Sequence, residues 1–147
     1  MRHALWLDSL TITEEPRRSY DGKMRWGCVP ANVLDHCIKC GVPAERLYKH
    51  GVEIKKYADL PAHGEHIHIA ISAQRWRCRE CGGTFSHPLP EMDDNRKMTN
   101  RCVAYVRQQG KHRTFADIAR EVGVDEKTIR NVCKEGFVAA LEDRDFG

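Results

Sequence analysis

The sequence has no long apolar run. No stretch approaches the roughly 20 apolar residues of a membrane-spanning helix, and Asp8 interrupts the opening Met1–Leu10, so no secretory leader is expected. Aromatic residues are scarce at 7%, which speaks against one large core and for small modules. The seven cysteines do not make an even set, and an odd count fits poorly with a framework built only of disulfides. These absences point to a reducing, cytoplasmic setting, where paired cysteines bind metal more often than they bridge. No internal repeat is visible. With 31% charged and 41% hydrophobic residues, the composition is that of a folded soluble chain. Its 147 residues suffice for one ordinary domain or two very small ones.

Four cysteines fall in two matching stretches, "HCIKCG" at His36–Gly41 and "WRCRECGG" at Trp76–Gly83. In such a Cys-x-x-Cys knuckle both thiolates point to one spot and backbone amides face the sulfurs. Gly41 and the pair Gly82-Gly83 follow, where the turn needs an unhindered or left-handed residue. Cys37, Cys40, Cys78 and Cys81 are therefore expected to hold one structural zinc in a closed tetrahedral site with no open position for catalysis. The competing readings are a redox dithiol or unrelated buried thiols. Cys28 is an alternative ligand, as are His36, His66 and His68, which otherwise read as solvated surface. Cys102 and Cys133 read as small core residues on helical faces.

The first 95 residues read as β-rich. Leu5, Leu7, Leu10 and Ile12 give a broken alternation, and Glu14–Lys23 reads as a loop with Pro16 and Asp21-Gly22 as turn signals. Met24–Val29 is expected to pair with the first strand. Arg46–Pro61 reads as two short extended pieces around Gly51, and His63–His66 as a turn. In His66–Cys78, Ile67, Ile69 and Ile71 alternate with polar and small residues, the pattern of a strand with one apolar face. Ser86–Asn95 reads as a linker.

After it the period becomes helical. Thr99 is a candidate N-cap for a helix reaching Gly110, and Thr114–Val122 and Asp125–Gly136 follow as two more helices. Phe115, Ile118, Ala119 and Val122 lie on one face. Gly123 ends that helix, Asp125 caps the next, and Ile129, Val132 and Cys133 form the buried face of the third. A small residue, a glycine four later, and branched residues six and nine beyond it make a helix-turn-helix pattern. Residues 96–136 carry ten Lys/Arg against five Asp/Glu, a local excess suited to a polyanion. Lys127, Thr128, Arg130, Asn131 and Lys134 are the candidate base and phosphate contacts. Lys111 and Arg113, with Arg96, Lys97, Arg101 and Arg107, are candidates for the DNA backbone. A generic three-helix bundle with a solvated face is the competing reading.

The expected fold is thus α+β: a β-rich zinc ribbon over 1–95, a three-helix helix-turn-helix domain over 96–136, and a tail over 137–147. That order, with "HCIKCG", "KH", the Asp59–Pro61 of "ADLP" and "QRWRCRECGGTFSHPLP" at Gln74–Pro90, resembles the N-terminal region of ISL-three-family insertion-sequence transposases. The resemblance implies recognition of terminal DNA repeats. The family's ribonuclease-H-like domain, with its metal-binding acidic triad, has no counterpart in these residues, so the binding half is expected without the reaction. The expected partner is double-stranded DNA in a bacterial, nucleoid-associated cytoplasmic setting, with homodimerisation open and neither membrane nor small-molecule substrate. The alternatives are a zinc-stabilised protein-interaction adaptor or a stand-alone transcriptional regulator.

Overall fold

The computed structural model describes the backbone over residues 7–145 and side chains over 7–138. Leu5 of the expected first strand and the last residues of the expected tail lie outside the described residues. The fold is mixed α+β. Among the described residues seven strands, β1 (Leu10–Arg18), β2 (Met24–Pro30), β3 (Leu47–Ala58), β4 (Ile67–Cys78), β5 (Thr84–Ser86), β6 (Met92–Asp93) and β7 (Met98–Thr99), precede helices α1 (Asn100–Gln109), α2 (Phe115–Val122) and α3 (Glu126–Asp145). The sheet order is β1-β2-β4-β3-β7-β6, with β5 paired to β4. Among the described residues, no helix is long and apolar enough to cross a membrane.

The chain separates into two compact units, each assembled from three stretches. Of the described residues, one unit holds those up to 16 with 26–56 and 70–90, and the other holds 17–25, 57–69 and those from 91 onward. In the first, β5 runs antiparallel to β4 with Trp76 opposite Phe85, and Cys37, Leu47, Cys78 and Phe85 form a buried cluster. In the second, Ala58, Met98, Cys102, Val103, Val106, Ile118, Ala119, Val122, Ile129, Val132 and Cys133 form a core contributed largely by the three helices.

β4 is the strand its alternation foretells. Ile67, Ile69, Ile71 and Ala73 are buried and their neighbours are half-buried. Several expectations need correction. β1 runs on through Glu14–Arg18, so only Ser19–Lys23 turns; β1 ends the sheet order, and an edge strand tolerates Pro16 because a missing N–H there breaks no ladder bond. Arg46–Pro61 is largely one strand, since β3 passes through Gly51 in a left-handed conformation (φ 91°). The expected linker contains a miniature hairpin in which Met92 and Asp93 pair with Thr99 and Met98. α3 continues past Gly136, which has no positive φ. The glycine there makes room for Arg107, whose Cδ lies 2.8 Å from where a Cβ would stand.

The helix boundaries follow their capping residues. Thr99 Oγ1 accepts from the Cys102 amide and Thr114 Oγ1 from the Asp117 amide, each at 3.2 Å. Asp125 Oδ1 accepts from the Thr128 amide at 2.8 Å. Each cap satisfies a backbone donor that the first helical turn leaves unpaired.

Candidate functional site

Two loops built alike bring the four knuckle cysteines together. The Gly41 amide donates to the Cys37 carbonyl at 2.9 Å, and the Gly82 amide to the Cys78 carbonyl at 3.0 Å. Both glycines are left-handed, at φ 82° and 70°, a conformation that a Cβ makes costly. The amides of Lys39, Glu80 and Gly83 then point at the sulfurs of Cys37, Cys78 and Cys81, each at 3.4 Å.

All four Sγ atoms lie within 4.8 Å of one another. Across the loops, Cys37 and Cys81 are 3.9 Å apart and Cys40 and Cys78 3.6 Å. Sulfurs placed tetrahedrally at ~2.3 Å from a zinc stand about 3.8 Å from each other, so the donor set fits one structural zinc. The electrostatics agree. Burial raises the Cys37 thiol, but the backbone amides of Cys40 and Lys39 outweigh it and bring it down to about 6. The Val42 amide favours the Cys40 thiolate, yet burial and the neighbouring sulfurs push that thiol up to about 12. Four crowded thiols cannot all ionise unless a cation compensates them. Cys28 takes no part: it is 1% exposed, and burial pushes its thiol up to about 11.

The helical unit presents a different surface. Ile129, Val132 and Cys133 of α3 are wholly buried, so Lys127, Arg130, Asn131 and Lys134, all exposed, occupy the opposite side. Thr128 is half-buried beside the Asp125 cap. Lys111 is exposed on the connection before α2. Gly123 adopts φ 86° and joins α2 to α3 through a short turn.

The local positive charge is less available than its count implies. Arg96 pairs with Glu135, Arg101 with Asp59, and Arg107 donates to the Val132 carbonyl at 3.2 Å. Arg113 is held by Asp117 at 2.8 Å and Glu121 at 2.9 Å, which drive its pKa further up. Lys97 lies 5.8 Å from the Tyr57 ring centroid. Arg130 pairs with Glu126 at 2.9 Å, but both are about half-exposed, and such a pair holds its partners weakly. The side chains of Lys111, Lys127 and Lys134 make neither a hydrogen bond nor an ion pair among the described residues; the Lys111 amide donates to the Gln108 carbonyl.

Two features escaped the sequence reading. Asp59 is 1% exposed. It accepts from Thr99 Oγ1 at 2.7 Å and from Arg101 Nε at 2.9 Å, which anchors the start of α1. The sequence marked Asp59 within "ADLP" but gave no sign of its burial or its partners. Neither His66 nor His68 is simply solvated. His66 Nε2 meets the Arg120 carbonyl at 2.7 Å, and His68 is half-buried with an Nε2 that finds no partner. His36 keeps to Asp35, at 2.5 Å.

Two family models match the chain. One, described as the zinc-finger of transposase IS204/IS1001/IS1096/IS1165, covers residues 34–81. The other, the helix-turn-helix domain of transposase family ISL3, covers residues 88–136. No curated protein and no solved structure matches the chain.

Proposed function

The chain carries the zinc-ribbon and helix-turn-helix domains of the ISL3 transposase family, and from that premise we propose that it is a sequence-specific reader of duplex DNA. The functional division is a ribbon over residues 1–95 and a reader over 96–136. The observation that carries the reading is the two-sided character of α3. One side is fully buried in the helical core, and the other displays Lys127, Arg130, Asn131 and Lys134. Arginine can pair bidentately with guanine and asparagine with adenine in the major groove. Lys111 and Lys134 supply phosphate contacts. Arg113, held by two carboxylates, serves as a brace that supports the reader.

The zinc would be held by Cys37, Cys40, Cys78 and Cys81 as a structural ion. With four protein sulfurs around it no position remains for substrate, so its contribution is the shape of the ribbon. The test is selection of bound duplexes from a random pool, followed by isotherms at several salt concentrations. A shared sequence motif among the recovered duplexes, with affinity falling as salt rises, is the expected result. A pool that stays random overturns the specificity.

A further inference from the structure

The turn between α2 and α3 is occupied from inside. The amides of Gly123 and Val124 both go to the Ala119 carbonyl, at 2.9 and 3.3 Å. The Arg120 carbonyl is met instead by His66 Nε2 at 2.7 Å. A carbonyl only accepts, so Nε2 carries the hydrogen. The same imidazole lies where a side chain of residue 123 would begin: a Cβ there would stand 2.6 Å from His66 Cγ. Gly123 is therefore constrained twice, by its left-handed φ and by the ring above it.

His66 is itself firmly held. Its carbonyl accepts from the Met24 amide at 2.8 Å, and the Ala62–Glu65 hairpin before it closes through reciprocal backbone bonds of 3.2 and 2.8 Å. Glu65 in turn grips Arg18 through both carboxylate oxygens, at 2.7 and 2.8 Å. The ring thus ties a fixed hairpin to the turn that sets the direction of α3.

We infer that His66 is a positioning residue for DNA reading: it locks the α2–α3 turn and thereby fixes how α3 presents Arg130 and Asn131. The inference rests on the DNA-reading proposal above. His66 touches no base; it acts through the turn.

The test uses the whole zinc-loaded chain, the duplex recovered by selection and a scrambled duplex. His66→Ala is expected to lose roughly five- to ten-fold affinity for the selected duplex, the scale of one lost hydrogen bond, and less for the scrambled one. Its salt slope stays that of wild type, because no phosphate contact is removed. His66→Gln, whose amide can donate to the same carbonyl, recovers most of the loss. Without DNA, amide exchange at Gly123 and Val124 quickens in His66→Ala while the helical melting curve persists. A cycle adds an independent readout. Asn tolerates a left-handed φ, so Gly123→Asn is mild if only φ matters and severe if the ring fills the space. His66→Ala should then relieve Gly123→Asn, a non-additivity of neighbours in contact.

Wild-type affinity and exchange in His66→Ala, or additive effects in the cycle, overturn the inference. So does a salt slope lowered by about one, which would make His66 a phosphate contact. A wild-type chain that binds no duplex overturns the DNA reading instead, and exchange and the cycle, measured without DNA, still decide whether His66 holds the turn.

Discussion

The ribbon unit and the helical unit hold themselves together by different means. In the ribbon unit, the cluster at the knuckles is Leu47 and Phe85 with two of the sulfurs themselves, Cys37 and Cys78, while Leu10, Ile71 and Ala73 are buried as well. Elsewhere in the unit Val33 is 88% exposed, and Val52 and Ile54 are 63% exposed. In the helical unit, Met98, Val106, Ile118, Val122, Ile129 and Val132 are all wholly buried. A knuckle cluster completed by sulfurs depends on a metal for its shape, and the filled helical core does not. The comparison also separates two uses of cysteine. Cys37, Cys40, Cys78 and Cys81 offer sulfur to an ion, whereas Cys102 and Cys133 fill space, and burial raises both of those thiols.

Removing the metal is the largest perturbation. Structural zinc contributes on the order of 10 kcal/mol in small zinc modules. Chelation, or Cys78→Ser, is expected to unfold the ribbon unit, read by the fluorescence of Trp26 and Trp76. The helical signal in circular dichroism should persist, because α1, α2 and α3 bury one another. Simultaneous loss of both signals would break the comparison.

The reciprocal perturbation strikes the helical unit. Asp59→Ala strips Thr99 and Arg101 of their shared acceptor. Removing one partner of a buried ion pair costs about 3–5 kcal/mol, and since Arg101 is 31% exposed water recovers part of it. About 2–3 kcal/mol is expected, read as a lowered urea midpoint of the helical signal with zinc content unchanged. Ribbon melting at the same midpoint would show that the two routes are not separate.

His68 gives a pH-dependent version of the same contrast. Burial, then the nearby charges of Lys23 and Arg25, lower its pKa to about 4 from an ordinary value near 6.5. The unfolded chain therefore binds a proton that the folded chain refuses between these values, so stability falls as pH falls from about 6.5 to 4. The contribution is whole above 6.5. His68→Gln should flatten the urea midpoint over that range by the share of one titrating group. An unchanged slope would remove His68 from the account.

How much of this could be read from the sequence follows from distance along the chain. Both knuckles, the β4 alternation and the caps at Thr99 and Asp125 are local patterns, and each appears where its spacing places it. The corrections arise where tertiary context decides. Pro16 reads as a loop residue until β1 is known to be an edge, and Gly136 reads as a helix end until Arg107 is seen against it. The pairing of Arg113 with Asp117 is an i, i+4 spacing that could have been counted. The pairing of Arg101 with Asp59 joins residues far apart, and no periodicity carries it. The two units are discontinuous in sequence, so contacts define them and composition does not.

The smallest expected effects test the division of cations within the reader. Arg130 spends its charge on Glu126 in a solvent-exposed pair worth at most about 1 kcal/mol, so DNA can recruit it readily. Losing a bidentate base contact costs roughly 1–3 kcal/mol of discrimination. Arg130→Ala should therefore relax preference at one base position and leave the helical melt nearly unchanged. Lys111→Ala should weaken all duplexes about equally and lower the salt slope by roughly one unit. Arg113→Ala supplies the control. Its guanidinium joins Asp117 to Glu121, and Glu121 also accepts from Tyr105 Oη at 2.5 Å, so its loss should lower the melt more than the slope. Isotherms for the three variants on matched and mismatched duplexes at several salt concentrations separate base reading, phosphate contact and bracing. If Arg130→Ala keeps the wild-type preference, the exposed face of α3 does not read sequence. If Arg113→Ala lowers the slope as Lys111→Ala does while its melt is unchanged, its carboxylate partners release it to the phosphates and the brace is no brace.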